Sequence, residues 1–271
     1  MKQNQVQQKE IRLGTHGEDY GSWMSNPVFY VVGALLALSV VLAVLSFTVF
    51  HITALGVVFV IAAVILLALL LWCAWIRRQY AFGGGGMMER THLVILSHLD
   101  FDGQGQLLEV GCGSGPLSIR AALTWPSAQV VGIDYWGVDF GYNQAMCEKN
   151  AASEGVAARC RFQHGDANKL DFPDESFDAV TSNYVYHNIA RADKQALLIE
   201  TLRVLKKGGV FAIHDLMSPT RYGDMQAFVE RLKEQGYEQV ELIDTTKGMF
   251  MSSKEAKQLM LCGSALLVGK K

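Results

Sequence analysis

The chain has 271 residues, with 24 Lys and Arg against 26 Asp and Glu, for a formal net charge of −2. That balance supplies no broad basic field, so nucleic acid is not an expected partner. Five cysteines, Cys73, Cys112, Cys147, Cys160 and Cys262, are scattered without a disulfide framework or metal-ligand spacing, which suits a reducing compartment and gives no reason to expect a bound metal.

Residues 1–26 read as an N-terminal segment. From Tyr20 to Ile76 there is no Asp, Glu, Lys or Arg. Such a stretch holds two spans of about 20 residues, the number needed to cross roughly 30 Å of hydrocarbon. Asn26 followed by Pro27 supplies a cap and a first-turn proline, predicting a helix from Pro27 to Phe50. After the polar break His51-Ile52-Thr53, Thr53 caps a second helix running to Ile76. The expectation is a transmembrane hairpin over residues 27–76. Tyr20, Trp23 and Tyr30 at its start and Trp72, Trp75 and Tyr80 at its end fall on one side, as interfacial belts do. Lys2, Lys9, Arg12, Arg77 and Arg78 fall on the same side, so the positive-inside rule places both termini in the cytoplasm of a multi-pass membrane protein. A cleaved signal peptide would begin earlier and be shorter, and a soluble core hairpin would show a polar face. Gly33 and Ala37 have the small-x-x-x-small spacing that allows homo-oligomers to form through such helices.

Residues 77–86 form a basic, glycine-rich linker. Its Gly83 to Gly86 joint is open to two readings, a flexible tether or a lid, because it precedes a helix from Met87 to Leu99. Residues 87–271 form the remaining domain.

Within that domain, Leu107-Leu108-Glu109-Val110 is an apolar strand carrying an acidic residue, followed by Gly111-Cys112-Gly113-Ser114-Gly115. A strand feeding a glycine-rich turn into a helix is the nucleotide-cradling element of doubly wound folds. A pyrophosphate site uses G-x-G-x-x-G, whereas Pro116 occupies that third position here. Glu109 would repel a phosphate and attract a cation. S-adenosylmethionine, with a sulfonium, an ammonium and no phosphate, fits that inversion. Val130 to Asp134 is a second buried strand ending in a carboxylate about 20 residues on, the distance at which an acidic side chain meets ribose hydroxyls. Cys112, between two glycines, reads as a small filler side chain.

The glycine run resembles the first motif of the class I S-adenosylmethionine-dependent methyltransferases. Phe162 to Ala167 resembles that family's third strand and turn, and Phe177 to Asn183 its fourth strand. Leu202 to Phe211 resembles its following helix, Gly-Gly turn and fifth strand. The resemblance, which extends in a general way to quinone and lipid methyltransferases, covers roughly residues 87–271. It implies an α/β fold: a doubly wound, mainly parallel seven-stranded sheet. After the fifth strand and His214-Asp215, a helix from Gly223 to Gln235 and strands Glu238–Ile243 and Ser264–Val268 are expected, the last two as an antiparallel pair. The resemblance also implies a cofactor set of Glu109, Gly111, Gly113, Gly115, Asp134, Tyr135, Asp166, Ala167 and Asn183, with Asp166 at the adenine amino group.

Asn183 to Asn188 leaves the fourth strand where the donor methyl would lie. Tyr184 and Tyr186 are candidates for shaping an acceptor pocket, and His187 for a general base if the acceptor is a hydroxyl or an amine. His164 and His214 lie on neighbouring turns. The expected activity is methyl transfer from S-adenosylmethionine to a small lipophilic acceptor, with the lipid bilayer as the other partner. The same chemistry on a small thiol, a halide or a protein side chain is an alternative reading, as is a membrane module that binds the donor without transfer.

Overall fold

The computed structural model describes residues 13–82, 86–137 and 141–271. Lys2, Lys9, Arg12 and residues 83–85 of the glycine joint lie outside the described residues. The chain divides into two compact units, one built mainly of Gly21–Met87 and the other of the residues up to Tyr20 and nearly all of those from Met88 onward.

The first unit is a pair of helices, α1 (Asn26–Thr48) and α2 (Thr53–Tyr80). At 23 and 28 residues both are long and apolar enough to cross a membrane. The expected caps are displaced: Ser25 and Ile52 hold the cap positions, Asn26 and Thr53 are already helical, and no side chain bonds either helix start. Helix α2 runs on through Arg77 and Arg78 to Tyr80, a favourable place for cations at the negative end of a helix. The start of α1 and the end of α2 lie side by side. The Trp23 and Tyr80 ring centroids are 5.3 Å apart, and Arg77 lies 5.1 Å over the Phe29 ring. A Cβ on Gly56 would fall 2.6 Å from the Phe47 ring, so glycine permits the close approach there. Gly33 has no such neighbour and does not bring α1 and α2 together. Val31, Leu38, Val41, Ile61, Val64 and Leu71 are all exposed.

The second unit runs α3 (Met87–His98), β1 (Gln106–Val110), α4 (Pro116–Thr124), β2 (Gln129–Asp134), α5 (Gln144–Ser153), β3 (Cys160–His164), β4 (Phe177–Asn183), α6 (Lys194–Arg203) and β5 (Leu205–Leu216). It ends with the short α7 (Pro219–Tyr222), α8 (Met225–Glu234), β6 (Glu238–Asp244), α9 (Ser253–Gln258) and β7 (Ser264–Lys270). The seven strands form one sheet in the order β3-β2-β1-β4-β5-β7-β6. All pairings are parallel except those of β7, which runs antiparallel to β5 and β6. Helices cover both faces, so central strands such as β1 are buried without alternation, and Leu108, Val110, Val180, Phe211 and Ile213 anchor the core.

Strand β5 is longer than the sequence implied and contains both the Gly-Gly pair and His214-Asp215. A register shift between Phe177 and Ala179 absorbs the glycines. A Cβ on Gly209 would lie 2.9 Å from the Asp178 carbonyl oxygen, which explains glycine at that point. Helix α9 was not foreseen; a reciprocal capping box between Ser252 and Glu255 starts it.

Candidate active site

The carboxyl ends of the parallel strands carry the chemistry, as open α/β sheets require. Strand β1 leads into a turn in which Gly111, Gly113 and Gly115 have φ of 78°, 57° and 89°. Two of these glycines serve different ends. A Cβ on Gly111 would sit 2.1 Å from Val185, an impossible contact within the fold. A Cβ on Gly113 would meet only the Tyr142 ring, at 3.5 Å, so that face of the turn is open to a ligand.

Asp134, at the end of β2, fixes this turn. Its Oδ2 accepts the Gly113 amide at 2.8 Å and its Oδ1 the Trp136 amide at 2.7 Å, while Trp136 Nε1 donates to the Gly113 carbonyl at 2.8 Å. A carboxylate offers about four lone-pair sites, so two remain for hydroxyl donors. Cys112 is buried, and burial with Cys147 beside it pushes its thiol well above the ordinary range, as befits a filler rather than a nucleophile.

Glu109 departs from the expected role. It is only 2% exposed and accepts the Ser118 hydroxyl at 2.5 Å, so it lies beneath the turn rather than facing a ligand directly. Burial pushes its carboxyl up to about 8 despite the Ser118 bond. On the β3 side, Asp166 is exposed and its Oδ1 accepts the Asn168 backbone and side-chain amides at 2.8 and 2.7 Å, with Ala167 tucked in behind it. The exposed Tyr135 ring lies 5.1 Å from that of His164.

Beyond β4 the chain kinks at Tyr184, whose φ is 55°, and enters a single 3-10 turn, Tyr186–Asn188. The kink ends the strand's alternation and overturns one expectation: Tyr186 is wholly buried, with its hydroxyl 2.7 Å from Thr201 Oγ1, and cannot shape an acceptor pocket. Tyr184 is buried as well, with its hydroxyl 2.7 Å from Ser264 Oγ and its ring 4.6 Å from that of His214 and 6.2 Å from that of His187. His214 is excluded as a base: it is fully buried, its nitrogens lie 3.2 Å from Asn183 Oδ1 and 3.0 Å from Thr245 Oγ1, and burial lowers its pKa to about 3.

His187 is differently placed. Its Nδ1 is 2.5 Å from Asp215 Oδ1, and its backbone amide donates to Asp215 Oδ2 at 3.1 Å. Asp215 is completely buried and also accepts the Tyr222 hydroxyl at 2.8 Å and the Leu216 amide at 2.6 Å. Burial alone would raise its carboxyl, but the His187 and Tyr222 bonds outweigh that and hold it below the ordinary range. An ionised carboxylate at Nδ1 keeps the proton on that nitrogen and leaves Nε2 as the basic atom. The His187 side chain is 17% exposed. Sequence reasoning placed Asp215 on this edge without pairing it, and missed Tyr222, which follows an irregular segment with no periodic signal.

Residues 108–213 match the family described as a methyltransferase domain. The ubiquinone/menaquinone biosynthesis C-methyltransferase of Desulfotalea psychrophila is 32% identical over 137 residues, covering 50% of this chain and 51% of that protein. A sterol 24-C-methyltransferase of Aspergillus fumigatus is 32% identical over 117 residues, covering 43% of this chain and 29% of that protein. The chain thus spans about half the length of the bacterial relative and less of the fungal one. Among solved structures, a geranyl diphosphate C-methyltransferase of Streptomyces coelicolor superposes with a TM-score of 0.52 at 13% identity, covering 69% of this chain and 80% of that one. The cyclase SpnF superposes at 0.53 with 22% identity, covering 67% and 80%. These likenesses show the fold.

Proposed function

We propose that the chain is a class I S-adenosylmethionine-dependent methyltransferase that methylates a small lipophilic acceptor at the cytoplasmic face of a membrane that α1 and α2 span. The observation that carries the reading is the His187–Asp215 pair, a base with a fixed tautomer at the edge where β4 ends. The donor fits the residues present: the Gly113 face is open, Asp134 retains accepting capacity for ribose hydroxyls, and Asp166 is exposed for an amino group. When bound, S-adenosylmethionine supplies a methyl group on a positively charged sulfur.

The protein's own contribution is positioning and proton removal. Nε2 of His187 takes the proton of an acceptor hydroxyl, the buried Asp215 stabilises the imidazolium that forms, and Tyr222 holds that carboxylate in place. A phenol-like hydroxyl, with a pKa of about 10, is within reach of such a base. Tyr184 packs its ring on the buried, neutral His214 beside it. A lipophilic acceptor is supported by two relatives whose names specify quinone and sterol methylation, and by helices whose large apolar side chains are exposed on every side. The superposition with a cyclase means that transfer itself must be measured. Label from a methyl-labelled donor should pass to a total membrane-lipid extract and not to a soluble metabolite extract. Label confined to the soluble extract favours a thiol or similar acceptor, and none in either favours a binding module.

A further inference from the structure

The segment Leu13–Tyr20, ahead of the hairpin in sequence, packs on the methyltransferase unit as a strap. The Tyr20 carbonyl accepts the hydroxyl of Ser114, a residue of the glycine turn, at 2.8 Å. Asp19 and Asn150 exchange two bonds, of 3.1 and 2.9 Å, and Asn150 also donates to the Ser114 carbonyl at 3.0 Å. Two carboxylates are enclosed where the strap meets the end of α5. The Glu18 side chain is 0% exposed and that of Glu154 4%, and the ion-pair partner of both is His16.

Each carboxylate has one oxygen pinned and one directed inward. Glu18 Oε2 accepts the His16 amide at 2.8 Å, and Glu154 Oε1 accepts the Gly14 amide at 3.1 Å and the Tyr20 hydroxyl at 3.2 Å. The remaining oxygens converge on His16 Nδ1, Glu18 Oε1 at 3.6 Å and Glu154 Oε2 at 3.4 Å. Glu18 Oε1 is buried without a hydrogen-bond partner among the described residues. A buried carboxylate oxygen with no hydrogen bond is costly, and a second carboxylate beside it makes the arrangement worse unless a cation enters. The three atoms lie within 4.8 Å of one another. Bonds of about 2.1 Å to a tetrahedral ion set its ligands about 3.4 Å apart, close to two of these separations.

We propose that His16, Glu18 and Glu154 bind a divalent transition-metal ion of the zinc class, which fastens the N-terminal strap beside the cofactor turn. One imidazole nitrogen and two carboxylate oxygens suit zinc, and the exposed side of His16 leaves room for a water as fourth ligand. The ion is a clasp and takes no part in methyl transfer.

The detergent-solubilised full chain, stripped with a chelator, is titrated calorimetrically with zinc chloride alone. One tight equivalent is expected, and both His16→Ala and Glu18→Gln should weaken it by more than about tenfold. His16 is 62% exposed, so its truncation leaves the fold intact even if the buried Glu18 substitution does not, and metal-free melting curves check both. Hydrogen exchange of Gly14 to Tyr20 should slow when zinc is added to the wild type and stay unchanged in His16→Ala. Absence of a tight equivalent, or one that His16→Ala leaves unaltered, overturns the proposal.

Discussion

Asp215 does for His187 what the sequence could not reveal: it selects the tautomer that leaves Nε2 basic. His187→Ala should lower turnover by about a hundred- to ten-thousandfold with donor affinity unchanged. Asp215→Asn should approach the same loss, because an amide no longer holds the imidazole in its useful tautomer. Turnover and calorimetric donor binding measured side by side for both variants check this: each should lose turnover while binding donor as the wild type does. Glu109 carries a separate pH dependence. Its ordinary value of 4.5 rises to about 8 in the fold, so between those limits the folded state keeps a proton that the unfolded chain has lost, and stability falls as pH rises through the window. Glu109→Gln cannot ionise, so calorimetric melts should show it gaining on the wild type from the lower limit to the upper, by an amount on the order of a few kcal/mol. At this scale the strand-to-turn geometry of the glycines was legible because positive φ demands glycine, whereas the bonds from Asp134 to the Gly113 and Trp136 amides were not. Tyr186 was misread because the left-handed Tyr184 breaks the alternation that would have turned its ring outward.

At the scale of elements, the glycine turn separates folding from binding. Gly111→Ala drives a Cβ into Val185 and should lower the melting temperature, with a destabilisation of about 1–3 kcal/mol. Gly113→Ala meets no such contact and should fold while losing donor affinity in calorimetric titration, since its new methyl group occupies the open face. Equal destabilisation of the two variants would make the Gly113 turn purely structural. The alternation of strands and helices and the antiparallel last pair were readable, because two late strands with no long helical crossover leave little choice of direction. The boundaries were not. Strand β5 begins as early as Leu205 because a shift in its register with β4 accommodates the glycines, and α9 depends on a four-residue capping box with little hydrophobic periodicity around it. The His16, Glu18 and Glu154 cluster was equally hidden, since tertiary packing alone brings Glu154 to the strap.

For the whole molecule, the strap alters what removing the hairpin should do. A chain beginning at Met87 should stay monodisperse without detergent, since the sheet has its own core. It lacks Tyr20 and Asp19, however, so Ser114 and Asn150 lose the bonds that the strap supplies and keep only the one between them. Donor affinity measured by titration should therefore be weaker than in the full chain. Aggregation of that chain would instead make α1 and α2 part of its core. The two long apolar helices were legible because 57 residues run without a charge, whereas no motif in the chain encodes the choice of acceptor. The most direct test reconstitutes the full chain in lipid vesicles, adds methyl-labelled donor and a membrane-lipid extract, and follows label in the apolar fraction for the wild type and His187→Ala together. Label should accumulate there with the wild type and be nearly absent with the variant while both bind donor equally. Label found only in the aqueous fraction, or carried equally well by His187→Ala, would contradict the account.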